Sequence, residues 1–545
     1  MTHADIVLTD TTVWTGDETS PWATGLAVTA GRLSAVTNDD AELRSLVGPQ
    51  TQVLSLAGRL VLPGFQDAHV HTPFAGHNRL HVDLSDVEGR EQYLEVIRAY
   101  ADAHPDEPWI VGGGWAMQFF PGGVPRREDL DAVVPDRPVF LYNRDVHGAW
   151  VNSRALEVGG IDAATPDPSD GRYERDPATG EPTGMLHEGA AYTFNDRFIP
   201  LPDREEWEAA ILNAQAHLHS LGITGWQDAW VTPGTHEAYR SLAASGALKA
   251  RVVGSLWWDR HQGLEQIPEL LGQRENGQVG PYSATTVKIM TDGVLENYTG
   301  ALLEPYCDGC GGHTDNHGLS YVERDLLTAA VTELDRLGFQ VHMHAIGDRA
   351  VRNALDAVAA ARAANGASDH RHHIAHIQIV QPSDVPRFAE LGVVANCQPY
   401  WAQSEPQMEE LTVPFIGRDR ADLQYPFGDL LRSGARLAGG SDWGVTTANP
   451  LEEIEVMATR IDPENRGNPS FLPEQRVPLP EAVRAFTLGT AYVNHDDHEA
   501  GSLVVGKRAD LAVLDRDVLA AGADPVGEAR VLATMVAGEV VFDRL

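Results

Sequence analysis

The chain has 545 residues, of which 43% are hydrophobic and 22% are charged, and its formal net charge at pH 7 is −37. This length suggests two to four domains of a soluble globular protein with an ample hydrophobic core. A strongly negative surface repels nucleic acid and anionic membranes, so neither is expected as a partner.

No stretch of the sequence reaches the roughly 18 consecutive apolar residues that a membrane-spanning helix needs. The N-terminal residues lack the basic and apolar regions of a secretory signal. The sequence contains only three cysteines, which argues against a disulfide framework. These features lead us to expect a cytoplasmic protein.

Short strands are predicted at both ends of the chain. Residues 1–60 contain apolar runs separated by Gly and Asp turns, as in TGLAVTAGRLSAV, and residues 495–545 repeat the pattern in GSLVVGKRADLAVLD. Because the two ends have the same character, we predict one small β-sandwich domain built from both of them. Residues 61–494 then form the main domain.

The main domain opens with the motif VLPGFQDAHVHT. Residues 61–65 are predicted to be its first strand, and His69 and His71 follow at the C-terminal end. Side chains two residues apart in an extended chain project to the same side. Both imidazoles are therefore expected to enter one site and to bind a metal ion.

Residues 73–205 do not follow the pattern of the rest of the main domain. This segment contains GGGWAMQFFPGG and RPVFLYNRDVHGAWVNSRAL and is too long to be a loop without structure of its own. We predict an insertion after the first barrel strand that forms a cap over the site. Its aromatic residues predict a pocket for an apolar or aromatic substituent if several of them line it.

Beyond the insertion, helical stretches, glycines and apolar runs alternate, as in AAVTELDRLG followed by FQVHMHAIG. This alternation is typical of a parallel α/β fold, and we predict a (β/α)₈ TIM barrel. In such a barrel the residues at the C-terminal ends of the strands carry the chemistry.

Lys288 lies inside an apolar strand in TTVKIMTDG and is one of only three lysines in the chain, with Lys249 and Lys507. A buried charged amine is costly unless it is paired or modified. One interpretation is an N6-carboxylated lysine that bridges two metal ions. The alternative is an ion pair with a carboxylate such as that of Asp292.

A CxxC motif formed by Cys307 and Cys310 lies near His313 and His317. Four such ligands could form a structural zinc site. Two ordinary thiols in a Gly- and Asp-rich loop are the favoured interpretation.

Three further segments place polar ligands after apolar strands. His342 and His344 share a strand face in FQVHMHAIGD, His376 ends the strand of RHHIAHIQ, and Asp442 follows the strand of ARLAGGSDW. A barrel would bring these side chains together. Imidazole and carboxylate ligands suit Zn²⁺, with Mn²⁺ or Fe²⁺ as alternatives.

The motifs LPGFQDAHVH, NRDVHGAWVNSRAL, VKIMTDG, HMHAIGDRAV and GGSDWGV together resemble the amidohydrolase superfamily. More narrowly, they resemble its YtcJ-like branch, which includes N-substituted formamide deformylases. The resemblance extends over essentially the whole chain and implies a TIM-barrel hydrolase that acts on C–N bonds other than peptide bonds. It also leads us to expect a small-molecule substrate and a homodimer.

The resemblance implies a role for each candidate residue. His69 and His71 would bind the first metal ion, and Asp442 would bind it and act as the base. A carboxylated Lys288 would bridge to a second metal ion on His344 and His376, although whether one or two ions are bound is left open. The residues implied to face the substrate are His147, Trp115, Phe119 and Trp443, and His147 is also a catalytic candidate.

Three positions depart from the family pattern. His373 and Ala375 stand where relatives often have Arg and Glu, which would loosen the surroundings of the ligands. Gly444 stands where Pro is common. None of these changes removes a ligand.

The expected reaction is hydrolysis of an amide or formamide by metal-activated water, with Asp442 transferring the proton. The alternatives are a deaminase of a heterocyclic amine, a decarboxylase or isomerase on the same barrel, and a metal-binding scaffold without activity. A deaminase commonly needs a glutamate close after His344, where this chain has Asp348.

Overall fold

The computed structural model describes residues 3–310 and 312–545. The chain begins with short strands and one helix that do not belong to the barrel. The strands are β1 (Ile6–Thr9), β2 (Thr12–Trp14), β3 (Trp22–Ala23), β4 (Gly25–Thr29), β5 (Arg32–Thr37), β6 (Gln52–Ser55) and β7 (Leu60–Pro63), and the helix is α1 (Asp40–Leu46).

The first barrel strand is β8 (Phe65–Val70), so the prediction that residues 61–65 form this strand is wrong. Strand β7 pairs with β2 instead and belongs to the terminal domain. Both segments are buried throughout, and only Gly64 separates them. Because an apolar run is compatible with either sheet, the sequence pattern could not show where one sheet ends and the next begins.

The segment between β8 and the second barrel strand forms a sheet of its own with several helices. The sheet has the strand order β13-β14-β12-β11-β10-β9. The strands are β9 (Val82–Asp83), β10 (Ile110–Trp115), β11 (Val139–Asn143), β12 (Gly148–Val151), β13 (Gly171–Arg175) and β14 (Pro182–Glu188). The helices are α2 (Thr72–Leu80), α3 (Arg90–Ala103), α4 (Arg127–Asp131), α5 (Ser153–Gly159) and α6 (Gly189–Phe198).

Eight parallel strands form the barrel, which confirms the predicted fold class. After β8 they are β15 (Ile223–Val231), β16 (Arg251–Trp257), β17 (Tyr282–Met290), β18 (Gln340–Ala345), β19 (His373–His376), β20 (Val394–Cys397) and β21 (Leu437–Gly439). The residues just after β21 return to β8, where the Asp442 amide donates a hydrogen bond of 2.7 Å to the carbonyl of His69. The ends of the first and last strands therefore meet at one place.

Helices connect successive barrel strands and bury their apolar faces against them. In α10 (Arg324–Arg336), for example, Leu327, Val331 and Leu334 are spaced so that they form a single buried face. The helices of the barrel region are α7 (Arg204–Ser220), α8 (Pro233–Ser245), α9 (Ile267–Asn276), α10 (Arg324–Arg336), α11 (Asp348–Asn365), α12 (Val385–Leu391), α13 (Val413–Ile416), α14 (Arg418–Ala421), α15 (Phe427–Arg432), α16 (Pro450–Thr459), α17 (Leu479–Arg484) and α18 (Thr490–Val493). Among the described residues, no helix combines the length and the apolar character needed to cross a membrane.

The C-terminal strands β22 (Leu511–Leu514), β23 (Val531–Val536) and β24 (Glu539–Asp543) return to the N-terminal ones. They continue a six-stranded sheet in the order β24-β23-β22-β7-β2-β3, next to a four-stranded sheet in the order β5-β4-β1-β6. One buried cluster includes Leu26, Val61, Leu511 and Met535 from both ends of the chain. The two termini therefore share one hydrophobic core.

Candidate metal centre

Three side chains converge where the first and last barrel strands meet. Asp442 Oδ1 lies 3.2 Å from His69 Nε2 and 3.0 Å from His71 Nε2. One ligand atom from each of the three residues lies within 4.8 Å of the other two. Two imidazole nitrogens and a carboxylate oxygen at this spacing form a donor set that suits zinc.

The backbone holds Asp442 in an uncommon conformation. Its φ is 60°, in the left-handed region that few residues other than glycine adopt. The preceding Gly440 approaches β8 so closely that a Cβ would lie 2.8 Å from the backbone nitrogen of His69. The turn after β21 therefore positions the carboxylate against the two histidines, and such strain is typical of functional sites.

Hydrogen bonding around Asp442 leaves room for a cation. Within residues 3–310 and 312–545, the buried Asp442 Oδ1 and His71 Nδ1 have no hydrogen-bond partner. Burial acts to raise the pKa of Asp442, but the contact with His71 and the nearby His376 hold that pKa below its usual value. An ionised, buried carboxylate oxygen in contact with two imidazole nitrogens fits a metal ligand.

Lys288 lies in β17 with its amine inside the same group of side chains. It is 1% exposed, and its Nζ lies 3.5 Å from His69 Nε2. Burial lowers the pKa of the amine to about 7, against the opposing charges of Asp442 and Asp228. An amine of this kind is available in its neutral, nucleophilic form near neutral pH.

The alternative ion pair between Lys288 and Asp292 is not formed among the described residues. The Asp292 carboxylate instead accepts hydrogen bonds from the backbone amides of Ala301, Ile346 and Gly347. Burial raises the pKa of Asp292 to about 7. This aspartate holds together the loops after β17 and β18 and leaves Lys288 without a carboxylate partner there.

His344 and His376 lie next to each other in the same site. Their ring centroids are 4.4 Å apart, and the His376 ring lies 4.7 Å from that of His69. His376 has a φ of 74° at the end of β19, and its Nδ1 lies 4.0 Å from Asp442 Oδ2. Among the described residues these two histidines do not join the close group of three ligands. The structure thus brings all six predicted ligands to one cavity, with three of them in direct reach of one ion.

A second layer of polar groups orients His69. Its Nδ1 lies 2.9 Å from His342 Nε2, and the other nitrogen of His342 lies 3.2 Å from the Ser255 hydroxyl. The backbone amide of His69 donates a hydrogen bond to the Asp67 carboxylate, which also accepts one from the Ser441 hydroxyl. Partners of this kind fix the ring orientation of a ligating histidine.

Asp67 is a residue of this site that the sequence motifs do not single out. The signal is its position two residues before His69 in DAHVH, which places the Asp67 and His69 side chains on one face of β8. His342 was placed on the strand face of His344 without a role. The ring of His373, at one of the positions that depart from the family pattern, lies 4.1 Å from the His342 ring, and its Nδ1 accepts a hydrogen bond of 3.1 Å from the Asn396 amide nitrogen.

His147 enters the site from the insertion and is held by a buried carboxylate that sequence analysis missed. His147 Nδ1 lies 2.8 Å from Glu188 Oε2, and Thr299 donates a 2.6 Å hydrogen bond to the other oxygen. Burial acts to lower the pKa of His147, but the Glu188 charge raises it to about 9. Burial also acts to raise the pKa of Glu188, but the interaction with His147 lowers it to about 2. Because 41 residues separate the pair, no local motif pointed to Glu188.

The six ligand candidates and His147 open into one cavity of about 430 Å³, hereafter the metal-centre cavity. Phe74, Trp230 and Trp257 form a continuous aromatic wall along it, with ring centroids 6.1 Å apart for the first pair and 5.7 Å for the second. Tyr142 and Tyr192 of the insertion also line it. The apolar wall and the cluster of polar ligands therefore face the same space.

Three residues predicted to face the substrate do not line this cavity. Trp115 is fully buried in the core of the insertion, where its indole nitrogen donates to the carbonyl of Leu141. Phe119 packs against Tyr93 in the same core. The prediction that Trp115 binds substrate is wrong, because this fully buried side chain belongs to the core of the insertion. For Phe119, which also lines a neighbouring cavity, it stays a prediction.

The third of these residues, Trp443, also points away from the metal-centre cavity. Its ring packs 4.9 Å from that of His217, and it lines a neighbouring cavity. Its backbone carbonyl accepts a hydrogen bond of 2.9 Å from the amide of His71. Trp443 thus helps to position His71 through its backbone, while its side chain lines the neighbouring cavity.

The alternative zinc site at the CxxC motif finds no support in the described parts of the chain. The group His69, His71 and Asp442 is the only arrangement there of three His, Cys, Asp or Glu ligands in reach of one ion. Cys307 and Cys310 are free thiols, and the first contacts the Arg420 guanidinium at 3.8 Å.

Comparisons with known proteins cover nearly the whole chain. Residues 52–542 match the model of the Amidohydrolase family. "Protein LONG AFTER FAR-RED 3" of Arabidopsis thaliana is 31% identical, over 99% of this chain and 92% of that protein. "Putative amidohydrolase YtcJ" of Bacillus subtilis is 28% identical over 91% of each chain. The "N-substituted formamide deformylase" of Arthrobacter pascens is 28% identical, over 99% of this chain and 98% of that one.

A solved structure shows the same architecture. The crystal structure of an uncharacterized metal-dependent hydrolase from Pyrococcus furiosus is 28% identical and superposes with a TM-score of 0.71. The similarity covers 94% of this chain and 100% of that one.

Proposed function

This chain belongs to the amidohydrolase family, which confirms the resemblance seen in its motifs, and we propose that it is a metal-dependent hydrolase of an amide or formamide C–N bond. The observation that carries the proposal is the position of Asp442. Its carboxylate contacts both His69 and His71 at the wall of a cavity large enough for a small molecule.

The residues that would hold the first metal ion are His69, His71 and Asp442. Lys288 in its N6-carboxylated form, with His344 and His376, would hold a second. The nitrogen and oxygen donors favour Zn²⁺, with Mn²⁺ or Fe²⁺ as alternatives. A divalent ion at this centre would lower the pKa of a water molecule and polarise a carbonyl group.

Asp442 is the proposed proton carrier. As water attacks the carbonyl carbon of the substrate, the Asp442 carboxylate accepts a proton from that water. Asp442 then delivers the proton to the leaving nitrogen. The low pKa of Asp442 keeps the carboxylate ionised before the reaction starts. Its fixed backbone conformation holds it beside the attacking water.

His147 is the proposed hydrogen-bond donor to the carbonyl oxygen. With Nδ1 held by Glu188, the other ring nitrogen is left for the cavity that His147 lines. A donor placed where negative charge develops lowers the barrier of acyl transfer. Glu188 acts through His147 and is a positioning residue in this proposal.

The aromatic wall of Phe74, Trp230 and Trp257 favours a substrate with an apolar or aromatic substituent on nitrogen. The Arthrobacter relative supports this substrate class, since it is an N-substituted formamide deformylase. The deaminase alternative is less well supported. Asp348 does not line the metal-centre cavity and instead accepts hydrogen bonds from Leu303 and Gln381.

Product analysis tests the proposal directly. The enzyme with bound zinc is incubated with N-benzylformamide and N-acetylbenzylamine in water labelled with heavy oxygen. Hydrolysis places one labelled oxygen in the carboxylate product and releases benzylamine. A decarboxylase or isomerase would incorporate no such label, and inactivity toward amides together with release of ammonia from heterocyclic amines would favour the deaminase instead.

A further inference from the structure

A second cavity lies directly beside the metal-centre cavity. It has a volume of about 580 Å³ and is bounded by the insertion on one side and by the loops after β20 and β21 on the other. Trp401 and Val445 line both cavities. A molecule that leaves the metal centre on this side would therefore enter the second cavity, hereafter the acidic cavity.

The lining of the acidic cavity is dominated by carboxylates without ion pairs. Four of them, Asp83, Glu405, Glu452 and Asp462, are half-buried, and three more at the rim are exposed, namely Asp86, Glu88 and Glu464. Within residues 3–310 and 312–545, none of the seven lies within 4 Å of a basic nitrogen. Elsewhere in this chain, partly buried carboxylates such as Asp129 and Asp176 are paired with arginines.

The basic groups of the acidic cavity do not balance these charges. They are Arg79, which donates its Nε to Asn213, and Arg144. His217 also lines the cavity, but burial lowers its pKa to about 4, so that it is neutral at pH 7. Burial raises the pKa of Glu405 to about 7, although Arg144 opposes this effect. A bound cation would relieve the excess of negative charge.

The arrangement does not suit a bare metal ion. No three of these carboxylates bring their oxygens within reach of one ion in the described chain, where only the metal centre does so. Trp401 and Gln403 also line the cavity. Gln403 is 2% exposed, and its Oε1 has no hydrogen-bond partner among the described residues. Spread negative charge, an aromatic surface and an acceptor without a donor match an organic ammonium ion.

We propose that the acidic cavity is a binding site for organic ammonium ions and receives the amine product of the reaction at the metal centre. This role rests on the proposed function. Water cleaves R–CO–NH–R′ into R–COOH and H₂N–R′, and the acid gives its proton to the amine, so that R–COO⁻ and R′–NH₃⁺ leave. The ammonium ion is drawn to the carboxylates, while the carboxylate product is repelled by them.

The experiment measures binding rather than turnover. Benzyltrimethylammonium, which is charged at every pH, is titrated into the full-length protein at pH 8 by isothermal titration calorimetry, with benzyl alcohol as the neutral probe. The variant Glu405→Gln/Asp462→Asn/Glu464→Gln removes three charges. Asparagine at position 462 still has a side-chain oxygen, so it can accept the hydrogen bond that the backbone amide of residue 464 donates to Asp462 in the wild type.

Two matched variants serve as controls. Glu390→Gln removes an exposed charge that lines neither cavity, and Asp259→Asn removes a charge that lines only the metal-centre cavity. We expect the triple variant to bind the cation about tenfold more weakly, which corresponds to about 1.4 kcal/mol. Both controls should stay within about twofold of the wild type, and binding should weaken from about 0.05 to about 0.5 M NaCl.

Three results would overturn the proposal: unchanged affinity in the triple variant, equal affinity for benzyl alcohol, or weakening by Asp259→Asn alone. If the triple variant does not fold, the affinity of the single variant Glu464→Gln for the cation, and the dependence of that affinity on salt, are compared with those of the wild type. Unchanged affinity in this variant would likewise overturn the proposal. If the protein binds the cation but hydrolyses no amide, the proposed function is contradicted, whereas the binding site for organic ammonium ions is still supported.

Discussion

Asp442 Oδ1 lies 3.0 Å from His71 Nε2, although 371 residues separate them and Asp442 belongs to the turn after the last barrel strand. The closure of the barrel creates this contact, because β8 and β21 are neighbours only in the folded chain. The carboxylate therefore reaches the site only when the barrel is complete.

The first prediction concerns proton transfer by Asp442. Asp442→Asn should lower kcat about 100- to 10,000-fold, because an amide cannot accept the proton. Asparagine tolerates the left-handed conformation of this residue, so the unfolding temperature should change little. Asp348→Asn is the control, since that aspartate lies outside the metal-centre cavity. Near-normal turnover in Asp442→Asn would remove it from the mechanism.

The second prediction concerns metal content. Elemental analysis of the purified protein should find two divalent ions per chain, and a high-resolution crystal structure should show a carboxylated Lys288. Lys288→Gln should reduce the content to one ion, because His69, His71 and Asp442 still form a complete group.

A histidine far from the site provides the control for metal binding. His71→Ala should lower metal affinity at least tenfold by removing a ligand, whereas His104→Ala, on an exposed residue, should have no effect. One ion per chain with an unmodified lysine would exclude the bridged centre and leave hydrolysis at a single ion. A protein that binds no metal would favour the scaffold alternative.

The third prediction concerns the pair formed by His147 and Glu188. Glu188→Gln should lower kcat about 10- to 100-fold with little change in KM, because the imidazole loses the group that fixes its orientation. Nitrogen NMR of His147 should show a change of tautomer or protonation in the variant. Restoring the carboxylate as Glu188→Asp should recover part of the rate.

The same sheet contains a matched control for this pair. Glu174 Oε2 lies 3.1 Å from His187 Nε2, and Glu174 is partly exposed to solvent. Glu174→Gln should leave kcat and the NMR signals of His147 unchanged. If both glutamine variants reduce kcat equally, the effect is a general one on the insertion, and Glu188 has no special role.

The meeting of the candidate ligands in one cavity could be predicted from the sequence because a parallel barrel places the C-terminal ends of its strands at one face. His69, Lys288, His344 and His376 lie within or at the end of barrel strands, so locating the strands also located these candidates. The same pattern could not decide that Leu60–Pro63 pairs with the terminal sheet, because strand pairing depends on distant partners such as β22.

Glu188 and the acidic cavity could not be predicted for a related reason. Glu188 meets His147 through pairing of β12 with β14, whose register places Gly148 opposite His187. The acidic cavity joins residues near positions 83, 144, 405 and 462, which no local motif connects. Contacts between separate segments of this kind arise from tertiary packing and leave no periodic signal in the sequence.

The last prediction separates the aromatic residues that line the metal-centre cavity from those that build the insertion. Trp230→Ala should raise KM for an N-benzyl substrate about tenfold and leave KM for an N-methyl substrate almost unchanged, since only the aromatic group contacts the wall. Trp115→Ala should instead lower the free energy of unfolding by about 3 to 5 kcal/mol, because it opens a void in a closed core. Trp115→Phe should retain more stability and normal KM for both substrates. Chemical denaturation and steady-state kinetics on all three variants would test the distinction. A selective rise in KM for the N-benzyl substrate in Trp115→Phe would show that the insertion core communicates with the substrate after all.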